Sequence, residues 1–341
     1  MSYRLAINGY GRIGRCVLRA FYESTDYGDL QIVAINDLAD LPTLAHLTRY
    51  DSTHGRFLGT VATRAGQLFI EEDEILVSQQ PEIENLPWRE LEVDLVMECS
   101  GAFADRASAE KHLAAGAGRV LFSQPAEADV DATVVYGINH ESLTGNERIL
   151  SNASCTTNCI VPVLAILDRE LGVESGVITT IHSAMNDQPV IDSFHHTDLR
   201  RTRSAMQSMI PVDTALARGI ERILPGLAGK LRAQAVRVPT MNVSAMDLTV
   251  ILGRQIDEEA LNTLLAEQAA ALAPNVLGVT SELLASCDFN HDPRSGIVDL
   301  TQTRVAPGRL VKLFIWFDNE WAYANRMLDV AQTLHGLQHT K

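Results

Sequence analysis

The first half of the chain alternates between short apolar runs and stretches with helical periodicity. Residues 3–8 form an apolar run typical of a buried strand, and it is followed by apolar side chains at helical spacing, namely Ile13, Val17, Leu18 and Phe21. Further strands are predicted at 31–36, 94–98 and 119–123, with a helix at 104–115. This alternation predicts an α/β fold, a Rossmann-type, doubly wound parallel sheet.

The second half has a different pattern, with longer β-rich runs. Strands are predicted at 176–182, 233–239, 243–252 and 310–318. They indicate an α+β domain with a mixed or antiparallel sheet and helices on one side. The basic segment at 195–203 is too charged for a core, which leaves a solvated loop, an anion-binding loop or a subunit contact.

A glycine motif joins the first strand to the first helix. Positions 9–14 read G-Y-G-R-I-G, and this strand–motif–helix context is what a dinucleotide fingerprint requires. Gly9 allows the tight turn, Gly11 lets a pyrophosphate approach the backbone, and Gly14 lets the helix pack closely. Arg12 and Ile13 would present N–H groups at the helix start, where phosphate binds well.

An acidic residue supports the same interpretation. Asp37 ends the second predicted strand, 23 residues after Gly14 and near the usual spacing of about 20. Its carboxylate would accept the adenosine ribose hydroxyls and repel a 2′-phosphate, so NAD is predicted rather than NADP. The alternative for Asp37 is a helix cap or turn acid. Ser100, Gly101 and Ser123 follow other strands and are further cofactor candidates, although such residues are also common in turns.

The run from 151 to 159, S-N-A-S-C-T-T-N-C, surrounds one thiol with small hydroxyl and amide side chains. Residues 160–171 predict a helix, which places Cys155 at or just before its N-terminus. The helix dipole and free backbone N–H groups favour a thiolate there. A nucleophilic cysteine is therefore predicted at this position.

The other cysteines carry weaker signals. Cys16 and Cys99 lie in apolar stretches typical of buried thiols, and Cys287 lies in a predicted strand. Cys159 shares a helix face with Cys155, which could suggest a redox pair or half a metal site. The sequence contains no second Cys/His pair at ligand spacing, so no metal is expected.

Composition limits the class of protein. The 341 residues suffice for two domains, and 46% of them are hydrophobic. Five scattered cysteines favour a reducing compartment. We therefore expect a cytoplasmic protein with neither secretory nor membrane segments. The formal net charge of −15 argues against nucleic-acid and anionic-membrane partners.

Several motifs together resemble the glyceraldehyde-3-phosphate dehydrogenase family across nearly the whole chain. They lie at 8–14, 151–159, 237–240 and 316–321. Within the family, the segments at 182–188 and 288–293 most closely resemble the D-erythrose-4-phosphate dehydrogenase branch.

The resemblance implies a set of site residues. The residues alone do not select one of the ten histidines, but the resemblance makes His182 the general base for the Cys155 nucleophile. It implies that Asp37 binds the adenosine ribose and that Asn319 orients the nicotinamide carboxamide. The substrate-binding residues that it implies are Ser154, Thr156, Arg200, Thr214 and Arg237.

The resemblance also implies an organisation. Residues 1–154 and 319–341 would form an NAD-binding domain with a returning C-terminal helix, and 155–318 the catalytic domain. The family is usually a homotetramer, in which the loop near Arg200 would line a subunit contact and the cofactor cleft.

The implied reaction is NAD-dependent oxidation of D-erythrose 4-phosphate to 4-phosphoerythronate, for vitamin B6 biosynthesis, through a cysteine hemithioacetal and a hydrolysed thioester. Two departures from glyceraldehyde-3-phosphate dehydrogenases bear on it: Met185 stands where those enzymes usually carry threonine, and Ala215 where they carry glycine. Two alternatives stay open. They are a phosphorylating glyceraldehyde-3-phosphate dehydrogenase and a non-catalytic NAD-sensing protein.

Overall fold

The computed structural model describes residues 2–195 and 198–338. The described chain divides into two compact units, one from 1–154 and 323–341 and one from 155–322. Residues 319–322 thus fall in the second unit, whereas the resemblance implied that they belong to the NAD-binding domain. The reason is local, because the side chain of Asn319 bonds to Ser183 and Ser244 of that unit. No helix in the described ranges is long and apolar enough to cross a bilayer.

The first unit is built from short strands and three helices before residue 155. Its strands are β1 (Tyr3–Asn8), β2 (Leu30–Asn36), β3 (Tyr50–Asp51), β4 (Gly55–Arg56), β5 (Val61–Arg64), β6 (Gln67–Ile70), β7 (Asp73–Ser78), β8 (Leu95–Glu98), β9 (Arg119–Phe122), β10 (Ala132–Thr133) and β11 (Ile149–Ser151). The helices are α1 (Arg12–Glu23), α2 (Leu41–Arg49) and α3 (Arg106–Ala114).

The main sheet of this unit has the strand order β10-β11-β9-β8-β1-β2-β7-β6-β5. It is parallel from β10 to β7, and β6 and β5 extend it as an antiparallel edge. The chain leaves β1 toward β2 on one side and later fills the other side through β8 and β9. The strand order therefore reverses at β1, and ligands of such sheets bind beyond the carboxyl ends of strands at that point.

The central strand owes its position to its apolar run. Leu5, Ala6 and Ile7 are fully buried, as expected for a parallel strand covered on both faces. Helix α1 buries Val17 and Leu18, which the helical spacing predicted. The apolar pattern therefore fixes the end of β1 and the start of α1, between which the glycine motif lies.

The second unit contains the longer strands. Its strands are β12 (Val173–His182), β13 (Ile210–Val212), β14 (Leu231–Arg237), β15 (Ser244–Leu252), β16 (Leu277–Thr280), β17 (Gly296–Asp299), β18 (Arg304–Val305) and β19 (Leu310–Phe317). Its helices are α4 (Cys155–Leu171), α5 (Leu216–Ile223) and α6 (Glu258–Ala271).

These strands form a mixed sheet in the order β13-β14-β12-β15-β19-β17-β16, with β18 beside β19. The pairs β12–β14 and β16–β17 are parallel, and the pairs β12–β15 and β15–β19 are antiparallel. Helix α4 packs against β12, β15, β17 and β19, and it buries Ile160, Val163 and Leu167. The two sheets confirm the predicted fold class.

The last helix, α7 (Trp321–Gln338), returns to the first unit over most of its length. The hydroxyl of Tyr323 donates to the carbonyl of Ala153 at 2.9 Å, and the hydroxyl of Tyr27 donates to Asp329 at 3.0 Å. These contacts hold the C-terminal helix against the unit that contains the glycine motif.

Candidate active site

Cys155 combines partial exposure with a position at the first residue of α4. Cys16, Cys99 and Cys159 are buried. Cys287 is exposed, but the strand predicted for it is wrong. It lies in a single 3-10 turn, because the carboxylate that follows it accepts a backbone N–H three residues back. Cys155 is thus the thiol that has both access and a helix N-terminus.

His182 lies next to this thiol. It is the last residue of β12, and its Nδ1 lies 2.8 Å from the carbonyl oxygen of Ser183. A carbonyl only accepts, so Nδ1 carries the proton and Nε2 is the unprotonated nitrogen of the neutral ring. Nε2 lies 3.9 Å from Sγ of Cys155. The imidazole is therefore oriented to accept a proton from the thiol.

Burial opposes ionisation of either group alone. It raises the pKa of the Cys155 thiol to about 11, although the Thr156 N–H and the charge of Arg237 act in the opposite direction. Burial likewise lowers the pKa of His182 to about 4. This cost is not visible in the sequence, which indicates only the helix N-terminus. Proton transfer from Sγ to Nε2 creates both charges together, so the pair titrates as a unit.

Arg237 lies beside the pair. It ends β14, in register with His182 on the neighbouring strand. Its Nη1 donates to Asp187 at 3.0 Å and to Gln188 at 3.2 Å. Asp187 also accepts from Arg201 at 2.9 Å. Two guanidinium groups thus share one carboxylate, and Arg201 also pairs with Asp198 at 3.6 Å. The two carboxylates offset the charge of the two arginines.

Two other predicted substrate residues, Arg200 and Thr214, make local hydrogen bonds. Arg200 is exposed, with its backbone N–H bonded to Asp198, and Arg201 is the arginine of that loop that contacts Asp187. The hydroxyl of Thr214 accepts from the backbone of Leu216, at the start of α5. The substrate-binding role that the resemblance implies for Arg200 and Thr214 stays a prediction.

Ser154 and Thr156 flank the nucleophile directly in the chain. The backbone N–H of Thr156 bonds to the sulfur and stabilises its charged form. The approach to α4 runs through Ala153, whose φ of 55° is unusual for a residue with a Cβ. The loop thus turns sharply just before the thiol.

Asn319 follows β19, and its Oδ1 accepts from two serine hydroxyls, Ser183 at 3.0 Å and Ser244 at 2.9 Å. Ser183 is also the residue whose carbonyl orients His182. The structure thus brings the predicted base and the predicted nicotinamide-binding residue to one short segment. Neither serine is among the site residues predicted from the sequence, because their role depends on contacts between distant strands.

The glycine motif has the geometry of a phosphate-binding turn. Gly9 has a φ of +89°, and a Cβ there would lie 2.4 Å from the backbone nitrogen of Ser100. A Cβ at Gly14 would lie 2.3 Å from the carbonyl of Gly9, whereas a Cβ at Gly11 meets only open space. Gly11 is the N-cap of α1 and provides no side-chain cap. The first N–H groups of α1, from Arg12 and Ile13, therefore lie where a pyrophosphate can accept them.

Asp37 lies beside the same turn. Its carboxylate accepts the backbone N–H of Tyr10 at 2.7 Å and that of Ala39 at 2.9 Å. It lines a cleft of about 420 Å³ at the carboxyl ends of β1, β2 and β8. These features fit the adenosine half of a dinucleotide.

Of the remaining cofactor candidates, only some line this cleft. Ser100 lines it, together with residues that the sequence analysis did not single out, Leu38, Gln80 and Phe103. Gly101, with a φ of +74°, and Ser123 are not among its lining residues. The backbone N–H of Ser123 donates instead to the carbonyl of Glu98 within the sheet.

Two family matches cover more than three quarters of the chain. Residues 3–106 match the NAD binding domain of glyceraldehyde 3-phosphate dehydrogenase, and residues 154–319 match the C-terminal domain of the same enzyme. The first match contains the glycine motif and Asp37, and the second contains Cys155, His182 and Asn319. The chain therefore belongs to the glyceraldehyde-3-phosphate dehydrogenase family and is an NAD-dependent dehydrogenase.

Proposed function

We propose that the protein oxidises D-erythrose 4-phosphate to 4-phosphoerythronate, a step toward vitamin B6. Enzymes of this family act on phosphorylated sugars. The observation that carries the proposed chemistry is the 3.9 Å approach of Cys155 Sγ to the unprotonated Nε2 of His182. A non-catalytic NAD sensor would not need a thiol and an imidazole in this arrangement.

The reaction begins at this pair. The sulfur bonds to the aldehyde carbon while its proton passes to Nε2 of His182, and Nε2 then gives this proton to the carbonyl oxygen, which yields a hemithioacetal and a neutral imidazole. The hydrogen bond from Nδ1 to the Ser183 carbonyl stabilises the imidazolium formed in this step. The attraction between the thiolate and the imidazolium offsets the cost of burying these two charges.

Oxidation then gives a thioester. NAD, when bound, would supply the acceptor for the hydride of the former aldehyde carbon. His182 takes the proton of the hemithioacetal hydroxyl as the C=O bond re-forms. Water then adds to the thioester, the C–S bond breaks, and the acid leaves with Cys155 restored as a thiol.

The arginine cluster supports water rather than inorganic phosphate as the second nucleophile. Asp187 neutralises part of the charge of Arg201 and Arg237, so a second phosphate dianion gains less there. Met185 is half exposed and has no hydroxyl where the phosphorylating enzymes have one, which removes a donor worth about 1 kcal/mol. Arg237 still offers a charge-assisted bond to the phosphate of the substrate.

The test is a steady-state comparison of the two aldehydes, each with and without inorganic phosphate. We expect faster turnover of erythrose 4-phosphate without dependence on phosphate. Phosphate-dependent turnover with glyceraldehyde 3-phosphate as the better substrate would instead establish the phosphorylating enzyme. Cys155→Ser should abolish turnover, while the matched variant Cys287→Ser, at the exposed thiol, should keep it.

A further inference from the structure

The side chain of Asn319 is held by two buried serines. Ser183 and Ser244 are 0% and 2% exposed, and both hydroxyls donate to its Oδ1. Ser244 also accepts the backbone N–H of Ser183 at 3.0 Å. The three residues come from the end of β12, the start of β15 and the end of β19, and they form one closed set of hydrogen bonds.

Counting protons fixes which way the amide faces. Each serine hydroxyl has one proton, and Asn319 Oδ1 accepts both. If the amide were rotated by 180°, its NH₂ group would face the hydroxyls, and both protons would lose this acceptor in a buried site. Oδ1 therefore faces the serines. Nδ2 makes no hydrogen bond within the described ranges and keeps two donors for a ligand.

The backbone around Asn319 is fixed from the other side. Asp318 is fully buried, and its Oδ1 accepts the N–H groups of Glu320 at 2.9 Å and Trp321 at 2.8 Å. Its Oδ2 accepts the side chain of Asn242 and the backbone N–H of His291. With the main chain held in this way, rotation about the terminal side-chain bonds is the main freedom left to the Asn319 amide.

We infer that Ser183 and Ser244 are positioning residues that lock this amide with its NH₂ group toward the carbonyl oxygen of the nicotinamide carboxamide. The inference rests on the proposed role of Asn319. A reversed amide would place Oδ1 against that carbonyl oxygen and repel it. Ser183 has a second task, because its carbonyl orients His182. One residue thus sets both the base and the amide that orients the ring receiving the hydride.

The test compares the affinities for NAD and for ADP-ribose, which lacks the nicotinamide. Ser183→Ala and Ser244→Ala should each weaken NAD about five-fold, the equivalent of one lost hydrogen bond. ADP-ribose affinity should not change. Ser183→Thr, which keeps the hydroxyl, should restore NAD affinity. Thr180→Val is the matched control, because it removes a buried hydroxyl of β12 whose bond is to Met246 and not to Asn319.

A double-mutant cycle separates the inference from the nicotinamide-binding role proposed for Asn319. In an Asn319→Ala background, the serine substitutions should have no further effect on NAD affinity. If Asn319→Ala weakens NAD relative to ADP-ribose but neither serine variant does, the serine lock is wrong. If Asn319→Ala leaves that ratio unchanged, the proposed role of Asn319 fails, and the inference fails with it. Equal weakening of both ligands would indicate a merely structural role for the serines and overturn the inference.

Discussion

Replacing His182 by asparagine should suppress the reactivity of Cys155. In the wild type Nε2 lies 3.9 Å from the thiol sulfur and is oriented to accept its proton. Opposite charges at that distance attract by about 4 kcal/mol at an effective dielectric constant near 20, which corresponds to roughly three pKa units. Without the imidazole the thiolate must form alone, and burial holds the thiol pKa near its raised value of about 11.

The assay is the rate of carboxamidomethylation by iodoacetamide between pH 5 and 11, followed on the Cys155 peptide by mass spectrometry. The imidazole pKa of about 4 sets the size of the effect, because the attraction must also offset the cost of protonating His182. The wild type should therefore react about two-fold faster than His182→Asn at pH 7 and about a hundred-fold faster at pH 5, since the thiolate is the reactive form. The exposed Cys287 provides an internal reference, because its rate should not differ between the two proteins. Superimposable profiles for Cys155 would refute the pairing of thiol and imidazole.

Four further results are expected. Asp37→Asn should weaken NAD and reduce discrimination against NADP, and an unaltered ratio of their dissociation constants would contradict the ribose role. Asp187→Asn should remove the negative charge that offsets Arg201 and Arg237, so turnover should increase more when inorganic phosphate is added. No increase would contradict the proposal that this carboxylate favours water over phosphate as the second nucleophile. Gly9→Ala should lower the urea midpoint because its Cβ would overlap the backbone, whereas Gly11→Ala should fold normally and lose NAD affinity; equal midpoints would refute this. Because the pKa of folded His182 is lowered from 6.5 to about 4, its stabilising effect is complete above pH 6.5 and about 3 kcal/mol is lost as the pH falls to 4. Urea unfolding should show that loss in the wild type but not in His182→Asn. If the free energy of unfolding depends on pH in the same way in both proteins, the lowered pKa of His182 is not the cause.

The sequence predicted the fold well, because both sheets depend on local patterns. The apolar run of β1 is fully buried, and the predicted helix after the glycine motif begins at Arg12. The observed strand ends differ from the predicted ones by a few residues, as for β12, which begins at Val173 rather than at 176. The clear error was at Cys287, where a strand is predicted and a carboxylate closes a turn instead.

The site was only partly accessible from the sequence. Cys155 and the glycine motif have strong local signals, since each chemistry needs its residues next to one another in the chain. Asp187 bonds to Arg201, 14 residues away, and Ser244 bonds to Asn319, 75 residues away. No repeating pattern in a single sequence predicts contacts between residues so far apart in the chain. Their roles follow from strand pairing, which aligns the ends of β12, β14, β15 and β19.

Burial around Cys155 has two opposite effects on reactivity, and pairing decides between them. It raises the thiol pKa to about 11, which alone would make the sulfur inert at neutral pH. The same low polarity strengthens the attraction between a thiolate and an imidazolium. His182 can supply that partner charge because the Ser183 carbonyl keeps the proton on Nδ1 and leaves Nε2 open. Cys159 is also buried, and its thiol pKa is raised well above the usual value. The contrast between the two thiols of α4 thus depends less on the helix N-terminus than on which sulfur has an imidazole nitrogen to take its proton.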